Sequence, residues 1–143
     1  MTQGNEFSDH VTERVNYLYL AHSKLRNASF GPEILVGVLP DDLRGTSRIH
    51  RGGKTLWEKP FLSGEANMSH TIANLEHHHF KHPLFRRPGI VHCHFFGAAA
   101  FSYAAGVRAA PDDVFKLDVP VFGRPLRNML RRAEPETFSV EPL

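Results

Sequence analysis

The sequence has little cysteine, little net charge and no long apolar run, and each of these features excludes a class of protein. Cys93 is the only cysteine in 143 residues, so an internal disulfide cannot form, and a reducing cytoplasm fits. The 17 basic and 15 acidic residues leave a formal charge of +2, too small to indicate a nucleic-acid partner by itself. No apolar run reaches the roughly 18 residues of a membrane span, and residues 1–6 lack a basic-then-apolar signal pattern. We therefore expect a cytoplasmic protein that binds neither nucleic acid nor membrane.

Histidine is the unusual component of an otherwise ordinary composition. The chain is 41% hydrophobic and long enough to bury a core, which predicts a single domain over residues 1–143 with an extended tail at 134–143. Of the 10 histidines, six lie between His77 and His94. Because histidine binds metals and titrates near neutral pH, this cluster needs a specific explanation.

Turn signals and apolar spacing predict at least five strands and about two helices. The clearest element is a hairpin over 46–59, since Gly52 and Gly53 can supply the positive φ angles of a two-residue turn. The other predicted elements are helices over 11–26 and 65–82 and strands over 34–39, 90–96 and 114–121. Turns rather than helices separate the strands, which favours a mainly β fold with helices (α+β), a mixed barrel or roll.

The predicted strand over 90–96 would divide its side chains between a core and a cavity. Because side chains alternate along a strand, the face that carries Val91 is expected to pack in the core. The opposite face carries His92 and His94, which suits the lining of a cavity. Gly97 and Ala98 follow, and such small residues let the backbone approach a ligand closely.

A characteristic order of elements and motifs runs from about residue 4 to residue 128. A Gly-Gly hairpin and a helix precede Arg-Pro-Gly, a strand into Phe-Gly-Ala, a turn with an Asp-Val strand, and a closing Phe-Gly-Arg-Pro-Leu-Arg-Asn. This order resembles the C-terminal portion of the fumarylacetoacetate hydrolase superfamily, in its sugar-acid branch, similar to 2-keto-3-deoxy-arabinonate dehydratases. The match is carried by Gly4–His10, Asn16–Lys24, Trp57–Phe61, Asn74–Phe80 and Phe122–Asn128. The resemblance implies that family's mixed β-roll or barrel.

The resemblance also implies a Mg²⁺-dependent lyase or hydrolase, with a dehydratase favoured, that acts on a 2-keto-3-deoxy sugar acid or a related 2-oxo acid. Glu6 stands where the family has a metal-binding aspartate, and Lys24 falls at the place of a substrate-binding or proton-transferring lysine. Carboxylate oxygen suits Mg²⁺, and Mn²⁺ or Ca²⁺ could take its place. The metal would stabilise the enolate that forms on proton loss at carbon 3. A homodimer is implied as well.

The pocket implied by the resemblance departs from the family pattern. His92, His94, Gly97 and Ala98 would line it, but Ala98 replaces a threonine that bonds the substrate carboxylate in the family. The family's Glu-x-Glu pair has no counterpart, because too little chain precedes Glu6. We therefore expect an N-terminally truncated fragment; a chain completed by a partner and a chain without activity are the other interpretations.

Two further function classes remain open. His78 and His82, four residues apart on a predicted helix, could meet His92 and His94 in the tetrahedral Zn²⁺ site of a small His-rich zinc-binding protein. Alternatively, a non-catalytic fragment could act as a dimerisation or binding module. Metal analysis of the purified protein discriminates the two: zinc would indicate the zinc-binding protein, and magnesium the enzyme. The sequence has no Gly-x-Ser-x-Gly motif, which disfavours a serine hydrolase.

Overall fold

The computed structural model describes residues 1–98 and 100–142, which form two antiparallel sheets and a few short helices. The smaller sheet pairs β1 with β2, and the larger has the order β4-β3-β5-β6. The strands are β1 (Gly4–Asn5), β2 (Ser29–Phe30), β3 (Leu43–Arg51), β4 (Lys54–Ser63), β5 (Val114–Asp118) and β6 (Leu126–Met129). The α-helices are α1 (His10–Val15), α2 (Leu20–Ser23) and α3 (Ile72–Phe80). Short 3₁₀ turns lie at Tyr17–Tyr19, Glu65–Asn67, Pro83–Phe85 and Tyr103–Ala105. The mainly β, α+β class predicted from the sequence is confirmed.

The predicted hairpin is present and longer than expected. Gly52 and Gly53 have φ angles of +56° and +76°, the left-handed backbone that a tight two-residue turn between twisted strands requires. β5 pairs with the other edge of β3, so β3 is an inner strand of the sheet. Ile49 on β3 is fully buried and, with Val119, Phe122 and Leu126, makes up the buried apolar core of the described residues.

A buried carboxylate fastens the turn before β5 to the end of β3. Asp113 is fully buried and accepts hydrogen bonds from Arg51 Nε at 2.7 Å and Nη2 at 2.8 Å. The Ala110 N–H also donates to it, at 2.9 Å. The hydrogen bonds from Arg51 lower the pKa of the Asp113 carboxyl, and burial opposes them. The paired charge is what makes this burial tolerable.

The N-terminal segment is anchored to the larger sheet by the side chain of Gln3. Gln3 is only 5% exposed. Its Nε2 donates to the Arg124 carbonyl at 2.7 Å, and its Oε1 accepts from the Val119 N–H at 3.2 Å. Both ends of the Gln3 side-chain amide form hydrogen bonds with the backbone between β5 and β6. The start of the chain is therefore held in one register against the sheet.

The helix predicted over 11–26 is broken at Asn16. Asp9 caps α1, with its side chain accepting from two backbone N–H groups. Asn16, however, has an extended backbone (φ −160°, ψ 135°), and its side chain accepts from the Leu18 N–H at 2.9 Å. Apolar spacing missed this break because asparagine offers the backbone a local hydrogen bond that competes with the helix. The second predicted helix is shorter than 65–82 for a similar reason, since Thr71 caps α3.

Two predicted strands are not strands in the structure. Val36 and Val38 are 88% and 96% exposed, so the buried strand expected over 34–39 is wrong. Val91 is 85% exposed, so the expectation that its face of 90–96 packs in the core is also wrong. A strand needs a hydrogen-bonded neighbour, and among the described residues no strand pairs with either segment. The strand predicted over 114–121 is present as β5 and ends at Asp118.

We expect Asp113→Asn to lower the free energy of unfolding by about 2 kcal/mol at neutral pH, because the amide cannot accept the charge-assisted pair from Arg51. The pKa of Asp113 is lower in the folded than in the unfolded chain, so its contribution is present above about pH 4 and is lost as the pH falls through the folded value. Urea unfolding of both proteins should therefore show a difference that shrinks in acid.

The matched control is Asp112→Asn at the adjacent, exposed carboxylate, which pairs with Arg131 at 2.9 Å. An exposed pair contributes at most about 1 kcal/mol. Equal losses in the two variants, or a difference that does not depend on pH, would contradict the role of Asp113.

Candidate functional site

Glu6 and Lys24, the two residues singled out by the resemblance, lie in contact. Glu6 follows β1, and Lys24 is the residue that ends α2. The Asp9 N–H donates to the Ser23 carbonyl at 2.9 Å, which holds the end of α2 beside the chain after β1. Lys24 Nζ lies 2.8 Å from a Glu6 carboxylate oxygen and 2.6 Å from Ser8 Oγ. The catalytic and metal-binding roles of these two residues remain predictions.

Sequence reasoning missed Ser8 as a member of this group. It lies two residues after Glu6, inside the Gly4–His10 stretch that carries the resemblance, and that spacing was the available signal. The side chains of Glu6 and Lys24 are 34% and 38% exposed, so the group stands at the protein surface and a dissolved ligand can reach it.

Glu6 alone does not complete a magnesium site of the family's kind. Mg²⁺ takes an octahedral shell of oxygen ligands, commonly carboxylates, water and substrate oxygens. Among the described residues, the one group of three or more potential ligands does not include Glu6. The donor type therefore suits Mg²⁺, while the number of carboxylates does not.

The group of three potential ligands consists of histidines and lines a separate cavity. His79, near the end of α3, meets His92 and His94, which lie on the segment after Gly89 that has no regular secondary structure. His79 Nε2 lies 3.0 Å from His92 Nδ1, and all three residues offer a ring nitrogen within 4.8 Å of the other two. The cavity measures about 470 Å³ and is lined by these residues, Leu75, Cys93, Phe95 and Phe96.

Aromatic side chains orient the His79 ring. Phe85 stacks on it at a centroid distance of 4.4 Å and an angle of 7°, and Phe80 meets it edge-on at 4.8 Å. Burial lowers the pKa of His79, and the neighbouring imidazoles of His92, His94 and His82 lower it further. His79 is thereby favoured as a neutral imidazole, the form that binds metal ions.

The predicted site residues fall into two groups. His92 and His94 line the cavity beside His79, and Glu6 and Lys24 are not among its lining residues. Gly97 and Ala98 do not line it either; the Ala98 carbonyl instead accepts from the Ala100 N–H at 2.8 Å.

The zinc-site hypothesis named the wrong helical histidines. His78 Nδ1 lies 3.0 Å from Lys81 Nζ, and the His82 ring packs edge-on against Phe85. Neither belongs to the group with His92 and His94, where His79 stands instead. The signal was present in the sequence, because His79 continues the helical stripe of Met68, Ile72 and Leu75 that faces inward.

Two solved structures share this fold. One is a hexagonal crystal form of 2-keto-3-deoxyarabinonate dehydratase, with a TM-score of 0.68 over 94% of this chain and 45% of that one. The other is 2-keto-3-deoxy-D-arabinonate dehydratase complexed with magnesium and 2,5-dioxopentanoate, with a TM-score of 0.69 over 94% of this chain and 47% of that one. The chain has the fold of these dehydratases. At 19% sequence identity to each, the likeness establishes the fold and confirms the resemblance at that level.

The chain spans less than half the length of either solved structure. Neither a family model nor a curated protein matches the sequence. Among residues 1–98 and 100–142, no helix has the length and apolar character needed to cross a bilayer.

We expect the contact between Glu6 and Lys24 to contribute little to stability, because both side chains are about one-third exposed. A double-mutant cycle with Glu6→Gln and Lys24→Met should give a coupling free energy of about 0.5 kcal/mol, measured by urea unfolding. A coupling above about 2 kcal/mol would show that the pair is a structural element rather than an available binding group.

Proposed function

We propose that this chain contributes the 2-oxo acid binding part of a Mg²⁺-dependent lyase or hydrolase, with dehydration of a 2-keto-3-deoxy sugar acid as the favoured reaction. The observation that carries the proposal is the contact of Lys24 with Glu6 and Ser8, on the fold of 2-keto-3-deoxyarabinonate dehydratases. One of those dehydratases was solved with magnesium and the 2-oxo acid 2,5-dioxopentanoate, which supports this class of ligand.

Lys24 is suited to holding an oxygen of a 2-oxo acid. An ammonium group has three N–H donors. Glu6 and Ser8 accept two of them, at 2.8 and 2.6 Å, and fix the position of the nitrogen. The third donor can bind the carboxylate or keto oxygen of the substrate without breaking either contact. A fixed ammonium group also stabilises the negative charge that develops on the keto oxygen when carbon 3 loses its proton.

Glu6 would provide one carboxylate ligand to the magnesium ion. Bound Mg²⁺ supplies Lewis-acid stabilisation of the same keto oxygen. On this proposal, the remaining carboxylates come from polypeptide outside the described residues or from a partner chain, which includes a second copy of this chain.

The exposed apolar surface supports completion by further polypeptide. Val36, Val38 and Val91 are each at least 85% exposed, in segments whose sequences are typical of buried strands. A covering chain that paired with these segments would turn them into strands. The same observation favours assembly as a second candidate function, in which the chain binds its partner without taking part in catalysis.

The proposal predicts Mg²⁺-dependent turnover of 2-keto-3-deoxy-arabinonate only when the chain is joined to a segment that supplies a Glu-x-Glu strand. In that active form, Lys24→Met should lower kcat/KM by about 100-fold or more, because a donor to the developing charge is lost. Glu6→Gln should raise the magnesium concentration needed for half-maximal rate. The measurement is steady-state kinetics across a magnesium series.

Matched controls are Lys54→Met in the hairpin and Glu136→Gln in the tail, both exposed positions, which should leave kinetics unchanged. Turnover by the chain alone would contradict the need for additional carboxylates. Absence of turnover both by the chain alone and by the joined form would contradict the substrate class and favour the assembly function.

A further inference from the structure

The three histidines at the cavity form a compact set of nitrogen ligands supplied by two separate elements. His79 comes from α3, while His92 and His94 stand two positions apart on one segment without regular secondary structure. Their ring nitrogens lie within 4.8 Å of one another, although His79 and His92 are 13 positions apart in the sequence. The fold therefore brings together side chains that the sequence keeps apart.

The spacing of these nitrogens is close to that of a tetrahedral metal shell. With Zn–N bonds of about 2.0–2.1 Å, two ligands of a tetrahedral ion lie about 3.3 Å apart. His79 Nε2 and His92 Nδ1 are already 3.0 Å apart. The remaining separations must shrink by at most about 1.5 Å, and His94 has room to move because its side chain is exposed.

We propose that His79, His92 and His94 form a binding site for a divalent transition-metal ion of the zinc class, with its fourth coordination position open to the cavity. Imidazole nitrogen suits such ions, whereas Mg²⁺ selects oxygen. The site is thus distinct in ligand chemistry and in place from the group at Glu6 and Lys24.

The surroundings of the site favour a bound ion over simple polar packing. Phe85 and Phe80 fix the plane of the His79 ring, so this ligand is oriented before an ion arrives. The contact of 3.0 Å between His79 Nε2 and His92 Nδ1 needs one N–H between the two nitrogens. An ion that binds both nitrogens replaces this hydrogen bond, and each neutral ring then carries its proton on its other nitrogen.

Three protein ligands leave one position for an exchangeable group. Structural zinc sites are closed by four protein ligands, whereas sites that bind water or substrate keep one open. No cysteine or carboxylate of the described residues joins the three histidines. The fourth position faces a cavity of about 470 Å³, large enough for water or a small oxygen-containing anion.

The test is isothermal titration of the metal-free chain with Zn²⁺. We expect one Zn²⁺ per chain. His79→Gln and His92→Gln should each weaken binding by about 100-fold or more, since even loss of a residue that orients a ligand costs 10–100-fold. His77→Gln and His78→Gln are the matched controls on the same helix and should bind as the unmodified chain does.

Spectroscopy of the Co²⁺ form gives an independent readout. A tetrahedral site gives intense visible absorption, which His79→Gln should abolish while circular dichroism shows the fold intact. Equal loss in His77→Gln, displacement of Zn²⁺ by millimolar-range Mg²⁺, or no saturable binding would each overturn the site. None of these measurements depends on turnover of a 2-oxo acid.

Discussion

The amide of Gln3 is the contact on which the arrangement of the N-terminal residues depends. It is buried and bonded at both ends to backbone between β5 and β6. The chain that leaves it carries Glu6 and Ser8, and the hydrogen bond between Asp9 and Ser23 then brings Lys24 to them. A surface ion pair alone would hold this geometry weakly. The buried amide supplies the order that the pair lacks, because an unsatisfied buried amide is costly.

The two candidate sites differ in how their ligands select an ion. The group at Glu6 and Lys24 offers oxygen and an ammonium donor, which suit an anionic substrate with a hard cation. The group at His79, His92 and His94 offers nitrogen only, which suits zinc-class ions. The two proposals therefore depend on different ligands and can be tested independently.

Local signals in the sequence predicted local structure well. The Gly52-Gly53 turn depends on a few neighbouring atoms, and it is present. The segments over 34–39 and 90–96 have the sequence pattern of strands, but strand formation depends on a partner that local sequence does not reveal. The break at Asn16 was missed because apolar spacing does not register a side chain that bonds its own backbone.

Some residues of the candidate sites were predicted and others were missed, again because local sequence does not reveal contacts between distant residues. Glu6 and Lys24 were singled out by the family resemblance, since no periodicity links residues on either side of α1. His92 and His94 were expected to share one face by alternation along a strand, and they line one cavity although their segment is not a strand. His79 was passed over among three consecutive histidines, although it continues the apolar stripe of Met68, Ile72 and Leu75 and His77 and His78 do not.

The binding of a 2-oxo acid by Lys24 is tested most directly by an NMR titration of its ammonium group, ¹⁵N-labelled at Nζ, with 2,5-dioxopentanoate. We expect a saturable shift of the Lys24 Nζ resonance, with no comparable shift at Lys54. Saturable binding of the 2-oxo acid that leaves the Lys24 signal in place would contradict it.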